Sequence, residues 1–125
     1  ISTAECFSRF DEMYRSARFE PTDNDALIAA LKSGDITRIA SLTGNALTKP
    51  AAQCDGIIET RLSALKEAGA LAAFMTGSGS GCVGLFENSA RALLAADAID
   101  RSEAVGAARA LTTESKGMEI LTFVK

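Results

Sequence analysis

The chain contains no histidine. This removes the Ser-His-Asp and Cys-His nucleophile arrangements, histidine-ligated zinc centres and the commonest general base. Cysteine is scarce: Cys6, Cys54 and Cys82 lie far apart, and no CxxC pair occurs. They provide no disulfide framework, so the expectation is a reducing, cytoplasmic setting with free, buried thiols. The longest apolar stretch, around Ala68–Met75, is far too short for a bilayer-spanning helix, and no membrane partner is expected. There is no signal-peptide pattern either. Thirteen basic and 16 acidic residues are scattered along the chain, for a net charge of −3. With no basic face, no nucleic-acid partner is expected.

What is present is ordinary globular material. The 125 residues are 47% hydrophobic and 23% charged, which suits one domain with its own core. The chain opens without Met, at Ile1-Ser2-Thr3-Ala4-Glu5, where Ser2 and Glu5 fit the S-x-x-E capping box. An opening directly on a helix cap reads as a piece of something longer.

The first predicted helix runs from about Thr3 to Tyr14, with Phe7, Phe10 and Tyr14 at helical spacing as its core face and Cys6 and Met13 beside them. Asp23 or Asp25 caps a short helix with the face Leu27, Ala30 and Leu31, closed by Gly34. Asp35 caps another, with Ile36, Ile39 and Ala40, closed by Gly44. Asn45–Pro50 reads as a break. A longer helix then carries Ile58, Leu62 and Leu65, and Gly69 stands where a left-handed residue is wanted.

The second half changes character. Leu71–Thr76 and Cys82–Glu87 are short apolar runs flanking Gly77-Ser78-Gly79-Ser80-Gly81, and together predict an antiparallel hairpin. Asn88 caps a helix from about Ser89 to Ile99, and a helical pattern continues through Val105, Ala108 and Leu111. Gly117 breaks it, and Glu119–Val124 predicts a last strand. Helices followed by β-β-α-β describe an α+β open sandwich with an antiparallel sheet and helices on one face. A further strand upstream of Ile1 would complete a ferredoxin-like sheet, so the sheet is expected to lack its first strand.

The glycine segment is the one stretch that suggests chemistry. Alternate glycines allow positive φ and close approach, successive amides can form an anion-binding nest, and Ser78 and Ser80 add hydroxyls. It is no Walker A loop, because no Lys follows at that spacing. Gly79-x-Gly81-x-x-Gly84 matches the dinucleotide fingerprint only formally, because a strand-like Cys-Val-Gly-Leu-Phe follows where a helix is required. A nucleophile elbow fails for the same reason and for want of His. On loop chemistry alone, a plain hairpin turn of small residues competes evenly.

At this loop the sequence resembles the GHMP family of small-molecule kinases, whose third motif is a glycine-rich loop between two strands of the C-terminal domain. Met75-Thr76-Gly77-Ser78-Gly79-Ser80-Gly81-Cys82-Val83-Gly84-Leu85-Phe86 is similar to the form M-S/T-G-S-G-S/P-T/S-V-F-G-L-F. That form belongs to the branch acting on a diphosphocytidyl sugar alcohol in the non-mevalonate isoprenoid pathway. Ile1–Glu5, Phe10-Asp11, Gly44-Asn45-Ala46-Leu47 and Leu65–Ala70 resemble the same branch, in the same order. Gly81 departs from the usual Ser or Thr, and Ala46 from the usual Asp.

The resemblance implies that residues 1–125 are the C-terminal domain of a two-domain, ATP-dependent kinase whose N-terminal ATP-binding domain is the partner. It implies a small-molecule substrate, and ATP and Mg2+ for the full-length enzyme, with none bound by this fragment alone. It places Gly77, Ser78, Gly79, Ser80 and Gly81 in a glycine-rich loop near the substrate and the phosphates. It puts no catalytic residue and no metal ligand in this chain, which alone should be inactive. The alternatives are the same domain of a homoserine or mevalonate kinase, and a free-standing ferredoxin-like module that binds a ligand or partner without catalysis.

Plainer roles account for the other conspicuous residues. Asp23, Asp25 and Asp35 are helix caps, and Asp23-x-Asp25 lacks the remaining positions of a calcium loop. Cys82 is a small strand residue with no Lys, Arg or His adjacent in sequence to lower its pKa. Asp97, Asp100 and Glu103 form a solvated helix face.

Overall fold

A computed structural model of the chain describes residues 2–102 and 105–113. Four of the helices start at a short polar side chain that caps them. Helix α1 (Thr3–Tyr14) begins where Ser2 Oγ accepts the Glu5 N–H at 3.1 Å. Helix α2 (Asn24–Ser33) begins at Asp23, which accepts the Ala26 N–H, while Asp25 falls inside the first turn. It ends on Gly34 at φ 73°. Helix α3 (Ile36–Leu42) begins at Asp35, which accepts the Arg38 N–H. Each such cap satisfies a donor that a helix end otherwise orphans, worth about 1 kcal/mol.

Helix α4 (Thr48–Cys54) corrects the expected break over Asn45–Pro50. Pro50 sits in its first turn, where the N–H that proline lacks would have had no partner. The turn is carried by Thr48 N–H to Asn45 O at 3.0 Å and Ala51 N–H to Leu47 O at 2.9 Å. Helix α5 (Ile57–Glu67) follows at once, and Gly69 at φ 96° turns the chain toward the sheet.

Strands β1 (Ala72–Met75) and β2 (Cys82–Leu85) pair antiparallel, with Ala72 opposite Leu85 and Met75 opposite Cys82. Helix α6 (Ser89–Asp100) starts at Asn88, whose side chain accepts the Arg91 N–H. The predicted helix through Val105, Ala108 and Leu111 does not form. Gly106 stands at φ 98°, and Ala108 N–H turns back to Asp100 Oδ1 at 3.3 Å. Leu111 is 84% exposed. The expected strand Glu119–Val124 and the break at Gly117 lie outside the described residues.

The core is small and sits where α1, α4, α5 and β1 meet. Cys6, Ala51, Ile58 and Met75 are buried there, with Leu47, Ala52, Ile57, Leu62 and Cys82 packed around them. Helix α1 packs on α4, α2 on α3, and α5 across both strands. The α+β expectation holds among the described residues, with helical cover on a two-stranded antiparallel sheet.

Two predicted faces hold except at one residue each, since Phe10, Tyr14 and Leu27 are half-buried and Ala30 is buried. Phe7 is 51% exposed, and Cys6 is the residue that α1 buries. Leu31 is 57% exposed, and α2 buries only Ala30 fully. Phe10 and Tyr14 instead join Phe19 in a half-buried aromatic trio, with ring centroids 4.9 to 5.2 Å apart. No helix among the described residues is long and apolar enough to cross a membrane.

Candidate functional site

The glycine segment joins β1 to β2 as expected, and β2 starts directly after Gly81. No helix opens there, which disposes of the dinucleotide fingerprint. Gly77 adopts φ 56° and Gly79 φ 100°, conformations that L side chains avoid. The loop closes on itself through Thr76 N–H to Gly81 O at 2.9 Å and Gly79 N–H to Thr76 O at 3.2 Å. The surroundings of Gly81 are close on one side. A Cβ there would lie 3.1 Å from the Thr76 methyl.

Residues far away in sequence hold this turn in place. Asn45, in the connector between α3 and α4, donates both hydrogens of its amide, to Met75 O and to Gly77 O, each at 2.8 Å. Its Oδ1 accepts the Leu47 N–H at 2.9 Å. Arg61 on α5 donates from Nη1 to Ser80 O at 2.7 Å and from Nε to Val105 O at 2.9 Å. Thr3, at the start of α1, shares a 2.9 Å hydrogen bond with the Ser78 hydroxyl.

The result is a turn with a polarity. The carbonyls of Met75, Thr76, Gly77, Ser80 and Gly81 are all taken by protein donors. Among the described residues, the N–H groups of Gly77, Ser78, Ser80 and Gly81 have no acceptor. Four donors are therefore offered, and five of the seven carbonyls from Met75 to Gly81 are withdrawn, Ser78 O and Gly79 O being the two without a donor among the described residues; a surplus of free N–H groups is the character of an anion site. Arg61 adds a positive charge. Its guanidinium bonds to carbonyls, and no carboxylate pairs with it among the described residues. These donors do not suit a cation, and no group of three metal-ligating side chains gathers among the described residues.

Sequence reasoning found the loop but not its supports. Asn45 belonged to a motif, yet its fork to the loop spans 30 and 32 residues and no local pattern carries it. Arg61 gave one signal: it interrupts the apolar face set by Ile58, Leu62 and Leu65. It also corrects the surroundings assumed for Cys82, because an arginine does approach that thiol. Burial still dominates and pushes the Cys82 thiol up, with Arg61 pulling weakly the other way. Cys6 is buried and Cys54 and Cys82 are half-buried, all three free.

Behind the loop, a cavity of about 590 Å³ lies between β2, α6 and residues 105–113, with Arg61 at its edge. A second, of about 330 Å³, lies between the aromatic pair Tyr14 and Phe19 and the start of α4, with Asn45 on its wall.

Residues 27–105 match the family described as GHMP kinases C terminal. The 4-diphosphocytidyl-2-C-methyl-D-erythritol kinase of Thermobifida fusca is 39% identical over 98 residues, which are 77% of this chain and 32% of that protein. The enzyme of the same name from Cutibacterium acnes is 31% identical over 121 residues, 97% of this chain and 39% of that protein. The one from Streptomyces avermitilis is 30% identical over 122 residues, 97% of this chain and 41% of that protein. The chain thus spans about a third to two-fifths of the length of the curated relatives it matches.

Proposed function

Because the chain belongs to the GHMP kinase family, as its C-terminal domain, we propose that it forms one wall of the catalytic cleft of an ATP-dependent kinase. The substrate we propose is 4-diphosphocytidyl-2-C-methyl-D-erythritol, and the product carries a phosphate on one of its hydroxyls. The relatives' name supports this choice over homoserine or mevalonate. Residues 1–125 are the C-terminal domain, and the ATP-binding N-terminal domain lies in the remainder of a longer protein, as the greater length of the relatives suggests. The partners are that domain and the small-molecule substrate. ATP and Mg2+ serve the intact enzyme, and this domain alone holds neither. We place the enzyme in the cytoplasm, where free thiols persist.

One observation carries the reading. Within the loop Gly77-Ser78-Gly79-Ser80-Gly81, four N–H donors are unpaired while the Gly77, Ser80 and Gly81 carbonyls are tied back, beside an arginine with no carboxylate partner among the described residues. In phosphoryl transfer the bond from the terminal phosphorus to ADP breaks and a bond to the acceptor hydroxyl forms, with charge spread over the phosphoryl oxygens. Fixed N–H dipoles at that place stabilise the charge without reorganising. Ser78 and Ser80 add neutral donors. We assign removal of the hydroxyl's proton to a group of the other domain.

The test is turnover. The full-length protein with ATP, Mg2+ and 4-diphosphocytidyl-2-C-methyl-D-erythritol should give ADP and phosphorylated product, and homoserine and mevalonate should give none. Phosphorylation of homoserine or mevalonate instead would overturn the substrate assignment. No turnover with any of them would overturn the kinase reading. The isolated chain should stay at the protein-free background.

A further inference from the structure

In a planar trans peptide the C=O and the following N–H point in opposite directions. Tying back a carbonyl therefore aims the next amide the other way. Asn45 holds Gly77 O at 2.8 Å, and the other half of that peptide is the Ser78 N–H. Arg61 holds Ser80 O at 2.7 Å, and the other half of that peptide is the Gly81 N–H. Both N–H groups are without an acceptor among the described residues.

We propose that Asn45 and Arg61 are positioning residues for the loop: Asn45 aims the Ser78 N–H and Arg61 aims the Gly81 N–H at the phosphate. The inference rests on the phosphate-holding role proposed for the loop.

Asn45 has no freedom to do otherwise. Both amide hydrogens are spent on Met75 O and Gly77 O, and Oδ1 accepts from Leu47. Turning the amide over would place its oxygen 2.8 Å from two carbonyl oxygens. Its position is itself anchored, because the Leu47 contact ties it to the residue from which α4 starts. Arg61 bridges two segments from α5, holding Ser80 O with Nη1 and Val105 O with Nε. Lysine, with a single ammonium centre, lacks the rigid fork that spans both carbonyls.

Asn45→Asp is the sharp variant. It keeps an oxygen for the Leu47 N–H and replaces the two donors with a carboxylate oxygen facing the loop carbonyls. In the intact enzyme, kcat/KM for ATP should fall about 10- to 100-fold, the scale expected of a loop displaced by about 1 Å. KM for the acceptor substrate should stay near wild type. Arg61→Lys should retain the charge but recover only part of the activity that Arg61→Gln loses.

Amide resonances of the full-length protein, titrated with inorganic pyrophosphate, separate a positioning role from a structural one. In wild type, the Ser78 and Gly81 resonances should both move. Asn45→Asp should abolish chiefly the Ser78 response, and Arg61→Gln chiefly the Gly81 response. If the wild-type protein phosphorylates nothing and these selective losses are still seen, the positioning inference stands and the kinase reading fails. If the enzyme is active and folded variants keep the wild-type amide responses, the inference is overturned, whatever their turnover.

Discussion

Replacing Gly79 by alanine adds one methyl at a backbone φ of 100°. For an L residue, conformations of this kind cost about 1–3 kcal/mol. The loop can accept that strain or relax it by straightening. Relaxation pulls against the Thr76 to Gly81 closure and the Asn45 and Arg61 anchors, and it moves the donors. A displacement of about 1 Å at a transferring phosphoryl costs about a hundredfold in rate, or about 2.7 kcal/mol at 1.36 kcal/mol per decade. Gly79→Ala in the full-length kinase should therefore lose about 30- to 100-fold in kcat/KM, within that ceiling. Its circular dichroism should be unchanged, because the loop lies outside the buried core. Ser78→Ala removes only the exposed 2.9 Å bond to Thr3 and one hydroxyl donor. The loss should be about 1 kcal/mol, or roughly fivefold. Steady-state kinetics on both variants decides the matter. A folded Gly79→Ala enzyme with wild-type constants would reduce the loop to a plain turn. A Ser78→Ala defect larger than that of Gly79→Ala would shift the binding from backbone to hydroxyl.

Gly84→Ala should strike the fold and spare the chemistry. Its Cβ would lie 3.0 Å from Leu65 Cδ2 and Phe86 Cε2 and 3.3 Å from Ala70 Cβ, so urea unfolding should show a loss of about 1–3 kcal/mol. Ile58→Ala, at a fully buried position, should cost about 2–5 kcal/mol in the same measurement. The Cys6 thiol is pushed above its ordinary value of 9.0, first by burial and then by the neighbouring Cys54 thiolate. The folded state thus keeps a proton that the unfolded chain gives up. That stabilisation is complete below pH 9 and is lost as pH rises through the folded value. Melting midpoints from pH 7 to 11 should fall more steeply for wild type than for Cys6→Ala, and parallel slopes would refute the assignment.

Much of the fold was legible because its signals are local. Ser2, Asp23, Asp35 and Asn88 each cap a helix through their own side chain, a contact within three residues. Gly34 and Gly69 close helices for an equally local reason, a left-handed backbone. The hairpin was legible from two apolar runs with glycines between them. Helix α4 was missed because Pro50 reads as a breaker, whereas the first turn of a helix has no use for its N–H. The helix expected over Val105–Leu111 failed because Gly106 takes φ 98° and Arg61 captures the Val105 carbonyl. Periodicity names a face without saying what covers it, so Phe7 and Leu31 were misplaced. The same limit hid the supports of the site. Spacing locates Gly77–Gly81, but only tertiary structure brings Asn45, Arg61 and Thr3 to it.

The proposed role of the loop is to hold a phosphate with its free N–H groups. It is tested most directly by titrating the isotope-labelled, full-length protein with a non-hydrolysable ATP analogue and following the backbone amides. The Gly77, Ser78, Ser80 and Gly81 resonances should shift together in a saturable manner, with the Gly79 amide, already bonded to Thr76 O, moving least. Saturation by the analogue with those four amides unmoved would show that the loop does not hold the phosphate.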